Sequence, residues 1–271
     1  VVVFGQANGF PASVNLSNLD GSNSLILRGT DENDFAYEAS FIGDFNNDGI
    51  DDLIVGASGV DGEFNLDYSK EAGAAYVVFG SRSLPSGSLN LGDLDGTNGF
   101  AYVGDGLGRL GSQVSNAGDF NNDGFDDFIV TSPGSGPGTV NLIYGTNQQF
   151  PGGILGEAYD SPHPYKLDVS SNQGKYGFVI YTSHLDPVHY YFNPGSISAL
   201  GDVNGDGIGD IIIGFQGHSP DQNPQAGSAV VLYGGTHSGS YYWEGNLDGV
   251  DGFAIHNTDS NEYFGYVGEG G

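Results

Sequence analysis

The 271-residue chain contains no cysteine, no methionine, one tryptophan and only six lysine plus arginine residues. The missing cysteine removes disulfides, thiolate-bound zinc and thiol nucleophiles from consideration. It does not fix the compartment, because bound ions can staple an extracellular fold where disulfides would. Against the six cations stand 34 acidic residues, for a net charge of −28. That balance argues against nucleic acid and anionic membrane surfaces as partners and favours cations. No apolar run approaches transmembrane length, and no signal peptide is visible. A nucleophile elbow of the Gly-x-Ser-x-Gly kind and a lysine-bearing phosphate loop are also missing. The chain opens on Val1 and reads as a processed protein or a fragment.

Glycine is abundant, at 48 residues, alongside 16 Tyr and 17 Phe, and 38% of residues are hydrophobic. Glycine with aromatic and β-branched residues in these amounts predicts many short strands joined by tight turns rather than disorder. A length of 271 residues suffices for one large all-β unit or two small domains.

One nine-residue string occurs three times: Asp44-Phe45-Asn46-Asn47-Asp48-Gly49-Ile50-Asp51-Asp52, Asp119-Phe120-Asn121-Asn122-Asp123-Gly124-Phe125-Asp126-Asp127 and Asp202-Val203-Asn204-Gly205-Asp206-Gly207-Ile208-Gly209-Asp210. Each runs into a short apolar segment. A loop wound around an ion presents alternate side chains inward. The string thereby offers Asp44, Asn46 and Asp48 at positions 1, 3 and 5, the Ile50 carbonyl at position 7 and Asp52 at position 9. The second copy offers Asp119, Asn121, Asp123, Phe125 and Asp127, and the third offers Asp202, Asn204, Asp206, Ile208 and Asp210. Ca²⁺ takes six to eight oxygens of this kind in a flexible shell, and Gly at position 6 permits the sharp turn. Mg²⁺ fits less well because it demands tight octahedral geometry and keeps its water. An EF-hand needs Glu at position 12 and flanking helices. Position 12 here is Val55, Val130 and Ile213, inside β-branched runs that favour strands. The alternative is an Asx-rich turn without metal, in which three or four nearby carboxylates repel one another. Three calcium sites on strand-to-strand turns are therefore expected.

Other elements repeat with the loops. Val1-Val2-Val3-Phe4-Gly5 matches Tyr76-Val77-Val78-Phe79-Gly80, Asn141-Leu142-Ile143-Tyr144-Gly145 and Val230-Val231-Leu232-Tyr233-Gly234. Four strand candidates fall in each period; in the second they are 111–117, 125–130, 139–144 and roughly 177–181. Four antiparallel strands per repeat, covered on both faces by neighbouring repeats, predict the blades of an all-β propeller.

The loop string, the following Leu53–Ser58 (Leu-Ile-Val-Gly-Ala-Ser) and the later Gly73–Gly80 (Gly-Ala-Ala-Tyr-Val-Val-Phe-Gly) together resemble FG-GAP repeats, the blades of the integrin α-subunit propeller and of many bacterial surface proteins. The resemblance implies four-stranded antiparallel blades with a Ca²⁺ loop between the first and second strands. It covers nearly the whole chain. Departures are Tyr37-Glu38 for "FG" in the first copy, and Thr131-Ser132-Pro133 and Gly214-Phe215-Gln216 for "GAP" in the later ones. The repeat phase suggests one propeller over 1–271, or part of one: a partial blade at 1–30, blades at 31–105, 106–185 and 196–257, and a partial blade at 258–271. An insertion occupies 146–195. Because such propellers usually have seven blades, a segment of a longer chain is expected; a closed ring of about four blades is the alternative.

Remaining constellations are weaker. His184, Asp186 and His189 lie in the insertion and would be the place to look for catalysis. Asp20-Gly21-Ser22-Asn23-Ser24 imitates a metal-adhesion string but aligns with the repeated turn Asp95–Gly99. Tyr241-Tyr242-Trp243 suits packing between blades, or sugar stacking. The expected function is a non-enzymatic calcium-binding propeller, extracellular or at the cell surface, serving adhesion, matrix or appendage structure, or recognition of a protein or glycan. Two alternatives stay open: a hydrolase or lyase with its site in 146–195, and a self-assembling module of a surface polymer.

Overall fold

The computed structural model describes residues 1–5, 7, 9, 13–19, 22–30, 32, 34–61, 71–82, 87–104, 108–134, 138–148, 154–156, 176–182, 194–218, 226–237, 241–242, 247–259 and 261–267. The architecture is all-β. At the N-terminal side β1 (Val2–Val3) pairs antiparallel with β2 (Ser24–Arg28). A first blade follows, in the order β3 (Ala36–Gly43), β4 (Asp52–Ala57), β5 (Ala74–Val78) and β7 (Gly99–Val103), every neighbour antiparallel. The second blade repeats this with β8 (Val114–Gly118), β9 (Asp127–Ser132), β10 (Thr139–Ile143) and β12 (Gly177–Tyr181). The third does so with β13 (Ser196–Gly201), β14 (Asp210–Phe215), β15 (Ser228–Leu232) and β17 (Gly252–His256). The four antiparallel strands read from the sequence are thus present in each.

The structure adds a strand that the sequence did not announce. β6 (Gly87–Asn90), β11 (Ile154–Gly156) and β16 (Tyr241–Tyr242) each arise between the third and fourth strands of a blade. Each pairs parallel with the outer strand of the preceding sheet: β6 with β2, β11 with β7 and β16 with β12. An outer strand left bare would present unpaired main-chain groups. Here the following blade caps it. These segments have two to four residues and no apolar alternation, which leaves nothing for a period-2 reading to detect.

Burial follows from the stacking. The second and third strands are covered on both faces, and β4 and β5 are buried at every residue. Alternate side chains go to opposite neighbours. From the first blade, Ile54 and Val77 join Phe128, Val130 and Val179 of the second blade in one core. Leu53, Val55 and Val78 instead join Leu25 and Leu89 on the other face. A third core brings Ile129, Leu142 and Phe178 against Ile211, Ile213 and Phe215. Burying each such side chain contributes about 1.5–3 kcal/mol. Half of the residues of β3 are exposed and one is buried.

Candidate metal centres

Each loop joins the first two strands of its blade, and each is preceded by the same irregularity. The antiparallel register slips at Phe41/Gly43, at Asn116/Gly118 and at Ala199/Gly201. Gly43, Gly118 and Gly201 there have φ of 74°, 64° and 72°. A bulge with a left-handed glycine bends the strand and aims the loop away from the sheet. Inside the loops, position 6 is left-handed as expected (Gly49 85°, Gly124 92°, Gly207 92°). Position 4 is left-handed too, at Asn47 (58°), Asn122 (58°) and Gly205 (82°). Asn and Gly are the residues that tolerate this conformation, a signal that was present in the sequence and passed over.

The three loops are wired alike. The Asp48 N–H donates to Asp44 Oδ1 (2.8 Å) and Asn46 Oδ1 (2.9 Å). The Gly49 N–H donates to Asp44 Oδ2 (2.8 Å), and the Ile50 N–H to Asp48 Oδ1 (3.0 Å). The second loop repeats each bond through Asp119, Asn121 and Asp123. The third repeats them through Asp202, Asn204 and Asp206. Positions 1, 3 and 5 therefore turn their oxygens toward the inside of one tight coil. A carboxylate oxygen that accepts one N–H still has a second lone pair.

Position 9 has a further role that the sequence reading did not include. Asp52, Asp127 and Asp210 are fully buried. Asp52 Oδ2 accepts from the Phe45 N–H (3.1 Å) and its Oδ1 from the Gly80 N–H (2.7 Å). Asp127 accepts from Phe120 (2.9 Å) and Gly145 (2.8 Å), and Asp210 from Val203 (2.7 Å) and Gly234 (2.8 Å). The residue pins its loop to the end of the third strand. The glycines at that point are required, because a Cβ on Gly80 would stand 2.4 Å from the Asp51 carbonyl oxygen.

Burial pushes the Asp52 carboxyl up to about 7, with Asp48 and Asp44 adding to the rise against hydrogen bonds from Gly80 and Phe45. Burial likewise pushes Asp127 up to about 8, and Asp123 adds to it. A cation is what would let such carboxylates ionise at neutral pH. The donor set is hard oxygen throughout, so the residues fit a calcium ion: Asp, Asn and Asp side chains, a main-chain carbonyl and a second-strand Asp. Among the described residues no three His, Asp or Glu side chains alone make a metal-holding group.

The loops also lie at the junctions between blades. Phe45, at position 2, is fully buried, with its ring centroid 5.7 Å from Phe100 of its own blade and 5.4 Å from Phe128 of the next. Phe120 sits between Phe178 (5.9 Å) and His237 of the third blade (5.3 Å). Val203 has no such cover and is 50% exposed. At the opposite end of the blades, glycine meets glycine. A Cβ on Gly56 would lie 2.2 Å from the Gly111 carbonyl oxygen, and one on Gly214 would lie 1.7 Å from that of Gly265. Gly111 in turn has φ of 84°, and a Cβ there would lie 2.1 Å from the Ala74 carbonyl oxygen. The glycine after the first aromatic or aliphatic residue of one blade thus packs on the glycine next to the end of the second strand of the blade before.

Three FG-GAP repeats match, at residues 35–78, 110–148 and 194–232. The first match begins at Phe35, and β3–β4 pairing sets Glu38 opposite Gly56 as Gln113 stands opposite Thr131. Phe35-Ala36, rather than Tyr37-Glu38, therefore occupies the position of Leu110-Gly111; the bulge between Ala36 and Glu38 hid this offset. Among curated proteins, mouse integrin alpha-3 is 30% identical over 147 residues, covering 53% of this chain and 12% of the relative. Integrin alpha-5 of Xenopus laevis is 28% identical over 222 residues, covering 77% and 18%. Mouse integrin alpha-8 is 36% identical over 110 residues, covering 39% and 9%. The chain spans less than a fifth of the length of these relatives.

Catalytic candidates from the sequence fall outside the described residues: His184, Asp186 and His189 all do so. A different polar group lies in the third blade. The buried Ser228 hydroxyl lies 2.6 Å from His218 Nδ1 and 2.8 Å from His256 Nδ1. The corresponding positions of the first blade are Val60, Ala74 and Val103, since Gly73 donates to Val60 as Gly227 does to His218 and Ala74 pairs with Val103 as Ser228 does with His256.

Proposed function

We propose that this chain is a calcium-stabilised propeller of an extracellular or cell-surface protein, non-enzymatic, acting in adhesion, in matrix or appendage structure, or in recognition of a protein or glycan. The observation that carries the calcium reading is the threefold recurrence of one hydrogen-bond pattern around one donor set. The ions would be held by Asp44, Asn46, Asp48, the Ile50 carbonyl and Asp52, and by the equivalent residues of the other two loops. Bound calcium supplies charge compensation and cross-linking of the turn. The chain itself orients the oxygens, through the N–H groups of positions 5, 6 and 7, and anchors each loop to the third strand through position 9. The adhesive role is supported by the named relatives, which are integrin alpha chains. No helix among the described residues is long and apolar enough to cross a membrane. The repeat boundaries we assign are 31–105, 106–185 and 196–257, with partial blades at 1–30 and 258–271.

Calorimetric titration of the chelated protein with Ca²⁺ tests this reading. Uptake of three ions with dissociation constants no weaker than about 10⁻³ M is expected, together with a higher melting temperature. No uptake at several millimolar calcium refutes it.

A further inference from the structure

We infer that Asp126 couples the calcium ions of the first and second loops, so that filling either loop raises the affinity of the other, while the third loop fills independently. This rests on the calcium reading above and deepens it.

The observation is a two-point clasp. Asp126 Oδ2 accepts a hydrogen bond from the Asp44 N–H (2.8 Å), and the Asp126 N–H donates to the Asp44 carbonyl (3.4 Å). Asp44 is position 1 of the first loop. Asp126 is position 8 of the second, between the position-7 carbonyl of Phe125 and the position-9 carboxylate of Asp127. One residue thus holds the main chain of a ligand in one loop and is itself held between two ligands of the other. Two further contacts cross the same gap. Asn47 Nδ2 donates to the Gly124 carbonyl (3.2 Å), and the Thr146 N–H donates to the Phe45 carbonyl (2.9 Å). The Asp126 carboxylate has a seat of its own: it lies where a Cβ on Gly43 would be, 2.1 Å from Oδ2.

Position 8 of the third loop is Gly209, which has no side chain to reach back to Asp119. Around Gly118, the counterpart of Gly43, nothing lies within 4 Å of a built Cβ. The seat is there and the carboxylate is missing. Near this point the second and third blades keep the counterpart of the Thr146 bond, from the Gly235 N–H to the Phe120 carbonyl (2.6 Å), and add the His237 ring.

An ion that fixes Asp44 fixes the donor and the acceptor that hold Asp126, and so orders Phe125 and Asp127 before the second ion arrives. Linkage makes the effect reciprocal. Electrostatic repulsion between two cations opposes the coupling, and the Asp126 charge between the loops reduces that repulsion.

The test is a calcium titration of the full 271-residue chain with single loops silenced. Silencing the first loop with Asp44→Ala/Asp48→Ala is expected to weaken the second loop about fivefold or more, and to leave the third unchanged. Asp126→Ala is expected to abolish that dependence, and Asp126→Asn, which keeps an oxygen acceptor, to retain most of it. Gly209→Asp has room, the nearest atom to its Cβ being the Ala117 carbonyl oxygen at 3.8 Å, and is expected to extend the coupling to the third loop. Melting curves in calcium show that each variant folds. Independent filling of the first two loops, or coupling that survives Asp126→Ala, overturns the inference and leaves the calcium reading intact. Absence of calcium uptake by the unmodified chain sinks both.

Discussion

Between the first and second blades, Phe45 is clamped by Phe128, Asp44 is clasped by Asp126, and Gly56 lies against Gly111. Glu71 and Arg109 add an ion pair across the same junction, with Arg109 Nε 2.8 Å from Glu71 Oε2. Between the second and third blades the parts differ. His237 takes the place of Phe128 as the ring against the position-2 aromatic, Gly209 takes the place of Asp126, and Thr131 stands where the first blade has Gly56. The cores at the two junctions are alike in chemistry, aliphatic and aromatic side chains from paired strands. The difference is confined to the ends of the blades. A repeat of this kind keeps its strands interchangeable and sets the properties of each junction through a few residues in the turns.

The largest expected effect comes from breaking the glycine contact at the first junction. Gly111→Ala puts a Cβ into the Ala74 carbonyl on a left-handed backbone. It should cost more than about 4 kcal/mol or abolish cooperative melting, whereas Gly195→Ala, at the counterpart of Gly111 in the third blade, should cost far less, the nearest contact of its Cβ being the Gln216 side chain at 3.6 Å. Comparable losses in denaturant melts would show that the two junctions depend equally on glycine.

Next is the position-2 side chain. Phe45→Ala should destabilise by about 3–5 kcal/mol, and Val203→Ala by no more than about 0.5 kcal/mol. Equal values by urea denaturation would mean that Val203 is covered in solution as Phe45 is.

A third comparison separates loaded from chelated loops. The folded carboxyls of Asp52 and Asp127 stand near 7 and 8, above their ordinary value of 3.8. Their contribution in chelator is therefore full below about pH 4 and is lost as pH rises through 7 to 8. Melting temperatures in excess chelator should fall between pH 5 and pH 8.5, and millimolar calcium should remove that fall. A chelated protein as stable at pH 8.5 as at pH 5 contradicts the assigned burial of these charges.

The smallest effect should appear at the second junction alone. Burial lowers the His237 pKa below 6.5, against a raising hydrogen bond with the Tyr233 carbonyl and the charge of Asp251. Its stabilising contribution is then complete above 6.5 and declines as pH falls below that value. His237→Gln should flatten this slope in melts recorded between pH 7 and 5, and an unchanged slope would assign the acid sensitivity elsewhere.

Much of the loop geometry was legible because oxygen donors alternating along a turn form a local pattern. Alternation of Asp, Asn and Asp with a glycine at position 6 is a property of nine consecutive residues, and the hydrogen bonds inside the loops are likewise local. The role of Asp52 as a pin was not legible, since its second partner is Gly80, 28 residues on. Nor was the function of position 8, where Asp51, Asp126 and Gly209 look like neutral variation until the loops are placed side by side. The polar group His218, Ser228 and His256 draws on three separate segments and leaves no motif.

By itself the sequence determined the four antiparallel strands of each blade, the loops, their oxygen donors and the repeat, because each is set by side-chain period, backbone preference and spacing within a short stretch. Tertiary structure decided which loop touches which, which outer strand is capped by β6, β11 or β16, and which glycines cannot carry a side chain. Those depend on distances between blades about 75 residues apart, where a hydrogen bond or a clash of a few ångströms is fixed by packing and has no counterpart in the order of the residues.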